Sequence, residues 1–85
     1  MVVQNVVVTC KNGLHAKQAS DFVQEANHYK CEVSVEADGR CINAKSLLGV
    51  LSLGIFEDSE MTIITNGPDE ETAARSLSAI VCKNA

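Results

Sequence analysis

Rings, prolines and positive charge are what this chain has least of. Aromatic residues make up 4% of its 85 positions, with one Tyr, two Phe and no Trp, and there is a single Pro. A surface built to stack on bases or sugars draws on more rings than that. Lys and Arg total 7 against 11 Asp and Glu, a formal net charge of −4, so no basic patch is on offer to a phosphate backbone. Both shortages argue against nucleic acid as a direct partner. No apolar run reaches the roughly 18–20 residues that span a bilayer, and membrane insertion is not expected. Met1-Val2-Val3-Gln4-Asn5 lacks the basic stretch and small-residue cleavage site of a secretory signal. Cys10, Cys31, Cys41 and Cys82 include no C-x-x-C pair and have no His at ligand spacing, which argues against a zinc site. With nothing else pointing to export, they are expected to be free structural thiols in a reducing, cytoplasmic compartment.

What the chain does have is aliphatic bulk. Its 46% hydrophobic content suits one packed domain spanning residues 1–85, with most apolar side chains inward. Val2 to Thr9 is β-branched and reads as a strand, closed by the polar loop Lys11-Asn12-Gly13. Ala16, Ala19, Phe22, Val23 and Ala26 recur at helical spacing, predicting a helix from Ala16 to about Asn27. Cys31, Val33, Val35 and Ala37 alternate with Glu32, Ser34 and Glu36, the pattern of a half-buried strand. Asp38-Gly39 is a two-residue type I′ hairpin signal. That turn sets Glu36 opposite Cys41 and Val35 opposite Ile42, leaving Cys41 outside and too far from Cys31 to bridge it. Ser46 opens a short apolar segment, Leu47 to Leu53, read as a helix of one or two turns ending near Gly54. Glu60 to Thr65 is a further strand, with Met61 and Ile63 inward. Asn66-Gly67-Pro68-Asp69 turns the chain into a last helix, whose first turn is acidic and whose stripe is Ala73, Leu77 and Ile80 with Ala74 and Val81. The order β-α-β-β-α-β-α implies an α+β open-faced sandwich, a four-stranded antiparallel sheet covered on one face by three helices.

One place suits phosphate chemistry. Gly13-Leu14-His15-Ala16-Lys17 lies where a glycine loop enters the first helix. A helix N-terminus presents unpaired N–H groups and partial positive charge to an anion. An imidazole there can act as nucleophile towards a phosphoryl group, the Ala16 and Lys17 amides can meet the phosphate oxygens, and the Lys17 cation offsets the added charge. A solvated cap histidine gives the same local pattern, so spacing alone leaves both readings open. His28, near the end of that helix, is better explained by the helix dipole. Ser46 has a structural reading as N-cap and a regulatory one as a phosphorylation site that brings about two negative charges to the surface. Leu47, Leu48 and Leu51 cannot all turn inward on so short a helix, and the exposed remainder suits a partner. Asp58, Glu57 and Glu60 read as a solvated turn, and Asp69, Glu70 and Glu71 as capping and dipole residues.

Gly13-Leu14-His15-Ala16 and the run from Asn43-Ala44-Lys45-Ser46 through Leu47-Leu48-Gly49-Val50-Leu51-Ser52-Leu53-Gly54-Ile55 together resemble the HPr/Crh family, histidine phosphocarriers of the phosphoenolpyruvate-dependent sugar phosphotransferase system. The likeness covers nearly the whole chain. It implies a carrier protein, not an enzyme, that needs no cofactor or metal. Its phosphoryl acceptor would be Nδ1 of His15, charged by Enzyme I and discharged onto sugar-specific IIA proteins. It also implies that Ser46 is the target of HPr kinase/phosphorylase. The phosphoserine form would slow transfer and bind a catabolite-control repressor, with Leu47, Leu48 and Leu51 as the docking patch. The chain departs from the family where Arg and Pro usually follow His-Ala: it has Lys17, without the planar guanidinium fork, and Gln18, without the φ restraint. Either change is expected to slow transfer or to alter the phosphohistidine lifetime. Crh paralogues carry Gln at the histidine position, and Phe22-Val23-Gln24-Glu25-Ala26-Asn27 is similar to theirs, whereas His15 is retained. Three readings follow: a phosphocarrier, a regulatory adaptor acting through Ser46 alone, and an unrelated ligand-binding α+β domain.

Overall fold

Alternation sets the first strand. In β1 (Val2–Val7), Val6 is buried while Val3, Asn5 and Val7 face outward. The structure, a computed structural model, describes residues 1–8, 16–54 and 59–81. After β1 come α1 (Ala16–Asn27), β2 (Glu32–Ala37), β3 (Arg40–Asn43), α2 (Leu47–Ser52), β4 (Glu60–Asn66) and α3 (Glu70–Val81), the expected order. β1 stops at Val7, although the Val8 N–H still donates to the Ser59 carbonyl at 2.8 Å. Thr9 and the Lys11-Asn12-Gly13 loop lie outside the described residues, as do Glu57 and Asp58.

The strands form one antiparallel sheet in the order β1-β4-β2-β3. Asp38 and Gly39 both have positive φ, 52° and 75°, as a type I′ turn requires. The register is the expected one, with Glu36 opposite Cys41 and Val35 opposite Ile42. Cys31 is buried, Cys41 is exposed, and both are free thiols. Cys10 and Cys82 lie outside the described residues.

One face of the sheet supplies the floor of the core through Val6, Val33, Val35, Met61 and Ile63. Against it pack Ala19, Phe22, Val23 and Ala26 of α1, Val50 and Leu53 at α2, and Ala73, Leu77 and Val81 of α3. Thr65 is fully buried, and its hydroxyl is satisfied by donating to the Glu70 carbonyl at 2.8 Å. Polar contacts tie the helices at two points. Glu25 of α1 accepts from the Tyr29 hydroxyl at 3.0 Å and from the Ser76 hydroxyl of α3, and these bonds, Ser76 foremost, lower its pKa. Asp69, read from sequence as a helix-start acid, reaches across instead: its carboxylate accepts from the Lys30 and Cys31 N–H groups, each at 2.9 Å. The chain passes so close there that a Cβ on Gly67 would stand 2.6 Å from the Cys31 Cα.

Candidate functional site

α1 begins at Ala16, the residue after His15. His15 itself, with Gly13 and Leu14, lies outside the described residues. The first amides of any α-helix have no partner within it and carry its positive end. In α1 no acidic side chain occupies the first turn to neutralise that charge, and Lys17 stands there exposed. The buried stripe from Ala19 to Ala26 holds this helix against the sheet and so fixes where its N-terminus opens.

Ser46 caps α2. Its backbone is extended (φ −106°, ψ 114°), and its Oγ accepts from the Gly49 N–H at 3.2 Å. Only Val50 of α2 is buried, at 1% exposure, and Leu53 just beyond it at 8%. Leu47, Leu48 and Leu51 are 41%, 80% and 40% exposed, so none of the three turns inward. The family-specific segment thus divides by helical periodicity into two anchoring residues and three outward leucines.

Sequence reasoning missed the braces that hold α2. The Arg40 guanidinium donates to the Ser52 carbonyl at 2.9 Å and to the Ser52 Oγ at 3.3 Å, gripping the end of the helix. Ser52 in turn donates from its hydroxyl to the Gly49 carbonyl at 2.6 Å. At the other end, the Lys45 ammonium donates to the Tyr29 carbonyl at 2.8 Å, and the Asn27 amide donates to the Val23 carbonyl at 2.9 Å and the Lys45 carbonyl at 3.3 Å. Arg40 was accessible to reasoning, because the Asp38-Gly39 register sets it opposite Ala37, whose side chain is buried. Lys45 and Asn27 meet across 18 residues and leave no local signal. These bonds fasten Lys45 to the C-terminal end of α1, while Lys17 sits at its start, about 15 Å from Asn27 by helical rise.

A family model described as the PTS HPr component phosphorylation site matches residues 2–83. The chain belongs to the HPr family. Proteins of this family are phosphocarriers and not enzymes, and membership implies partners within the phosphotransferase system, such as Enzyme I and IIA proteins. The HPr-like protein Crh of Halalkalibacterium halodurans is 46% identical over 83 residues, covering 98% of this chain and 99% of that protein. The HPr-like protein Crh of Bacillus subtilis is 46% identical over 81 residues, covering 95% of each. The crystal structure of phosphocarrier protein HPr from Bacillus anthracis superposes with a TM-score of 0.92 at 46% identity, covering 94% of this chain and 95% of that one. Among the described residues of this HPr-family chain, no helix is long and apolar enough to cross a membrane.

Proposed function

We propose that this chain is a working phosphocarrier of the sugar phosphotransferase system, acting in the cytoplasm through His15. The Nδ1 lone pair of His15 attacks phosphorus held on Enzyme I. The N–P bond forms as the bond to the leaving group on Enzyme I breaks, and the phosphoryl group later passes in the same way to a sugar-specific IIA protein. The first amides of α1 and the Lys17 ammonium offset the transferred charge, and no acid in that turn opposes them. The observation that carries this reading is the match of the phosphorylation-site family over residues 2–83 in a chain that keeps histidine at position 15.

Leu47, Leu48 and Leu51 form the docking patch, since three outward leucines on one short helix have no role in the core. Ser46, directly beside them, is the regulatory position for HPr kinase/phosphorylase. A phosphoserine there adds charge at the edge of an apolar docking surface, which disfavours an acidic partner and favours a basic one such as a catabolite-control repressor. The place of Ser46 at the start of the helix that carries the exposed leucines supports action through docking.

A second reading has its own support. Two named relatives at 46% identity are Crh proteins, and Lys17-Gln18 departs from the usual Arg-Pro. On that reading the chain is a regulatory adaptor that acts through phospho-Ser46. Incubation with Enzyme I, phosphoenolpyruvate and a IIA acceptor separates the two. A carrier passes label on to IIA, and a pure adaptor is modified only by the ATP-dependent kinase.

A further inference from the structure

The helices cover one face of the sheet and leave the other open. Strand alternation and register place on that open face Val3 and Val7 of β1, Glu60 and Ile64 of β4, Glu32 and Glu36 of β2, and Cys41 of β3. Val3 and Val7 are 59% and 46% exposed; Val3 lies directly opposite Ile64 and forms a short apolar strip with it, while Val7 lies further along opposite Glu60, with Asn5 and Thr62 between. Three glutamates surround this strip, and the described strand residues of the face include no Lys or Arg. At one end, Glu36, Asp38 and Glu60 line an open notch of about 380 Å³ together with Asn5 and Thr62. Ala37, Gly39 and Met61 complete its lining, and Asn5 and Thr62 are already bonded to each other at 2.7 Å, which leaves the three carboxylates as its charged groups.

Two cations stand at the leucine surface of α2, and two of the notch acids, Asp38 and Glu60, also line a hollow with Leu53 and Gly54 at the end of that helix. Lys45 precedes the exposed leucines, and Arg40 is bonded at their far end. A second copy of this chain is a poor occupant of the open face, because pairing two such faces sets glutamates against glutamates.

We propose that the open sheet face is a second docking surface, for a protein partner that presents apolar side chains flanked by Lys or Arg, one of them seated in the Glu36–Asp38–Glu60 notch. Its strand residues lie on the face of the sheet away from α2.

The test is a titration of the full-length ¹⁵N-labelled chain with two amphipathic helical peptides of one leucine pattern, one with lysine flanks and the other with glutamate flanks. The lysine peptide shifts amides at Val3, Glu36, Thr62 and Ile64, and the glutamate peptide does not. In E36Q/E60Q, whose substitutions are exposed and whose fold is checked by circular dichroism, the lysine peptide binds roughly fivefold more weakly. V3S weakens it independently of charge. Lysine-peptide shifts confined to residues 46–53, or equal affinity for wild type and E36Q/E60Q, overturn the proposal. Neither result bears on phosphotransfer through His15.

Discussion

Single side chains decide whether this site transfers phosphate and how it docks. Ser46 combines a structural role, its bond to the Gly49 N–H, with a proposed regulatory one, and substitutions separate them. Ser46→Ala should cost about 1 kcal/mol of stability in urea unfolding through loss of the cap. Ser46→Asp keeps a capping oxygen and stays within about 0.5 kcal/mol of wild type, yet should slow phosphotransfer from Enzyme I several-fold through its charge. Equal transfer rates for wild type and Ser46→Asp would place the regulation elsewhere. The leucines divide in the same way. Leu48→Ala should raise the KM for Enzyme I roughly fivefold, about 1 kcal/mol of docking, with stability unchanged. Val50→Ala, one turn face away and buried, should cost about 2 kcal/mol of stability. The start of α1 at Ala16 and the cap at Ser46 were legible because the local pattern marks both helix starts. Lys45 and Asn27 were not, since their bonds run between elements that only the tertiary fold brings together, whereas Arg40 was signalled by its register opposite Ala37 alone.

At the scale of elements, most of the structure followed from periodicity and turn chemistry. Alternation in β2 and β4, the helical stripes of α1 and α3, and the paired positive φ values at Asp38 and Gly39 all derive from neighbours within a few residues. The α1–β2 corner did not. Gly67 reads in sequence as an ordinary turn glycine, whereas its position is dictated by the Cys31 backbone of a different corner, with Asp69 bonding the adjacent amides. Gly67→Ala should therefore destabilise the fold by about 2 kcal/mol, because the obstructing atoms belong to backbone that cannot swing aside. A thermal midpoint equal to that of wild type would show that the corner has slack.

Across the whole molecule, the strand order was the feature least visible in sequence. β4 lies between β1 and β2, a pairing governed by long-range packing and not by any local signal. Acids at the junctions between elements give the assembled fold its pH response. Glu25, Asp69 and Glu70 all have lowered pKa values: Glu25 through the Ser76 and Tyr29 hydroxyls, Asp69 through the Lys30 amide, and Glu70 through the N-terminal amino group and the Gly67 amide. A depressed folded-state pKa adds stability above the unfolded value, near about 4, and that contribution is lost as the pH falls through the folded-state values. The thermal midpoint should thus drop between pH 5 and the region below the ordinary carboxylate range, to a lesser extent in Asp69→Asn. A midpoint independent of pH there would contradict the assignment.

The frame that these contacts build matters to function through the place where α1 begins. The most direct measurement is the mass of the intact chain after incubation with Enzyme I and phosphoenolpyruvate, read before and after acid treatment, for wild type and His15→Ala. The account predicts one added phosphoryl group in wild type, stable in base and lost in acid, and none in His15→Ala. Equal addition to both proteins, or none to wild type with an active Enzyme I, would contradict it.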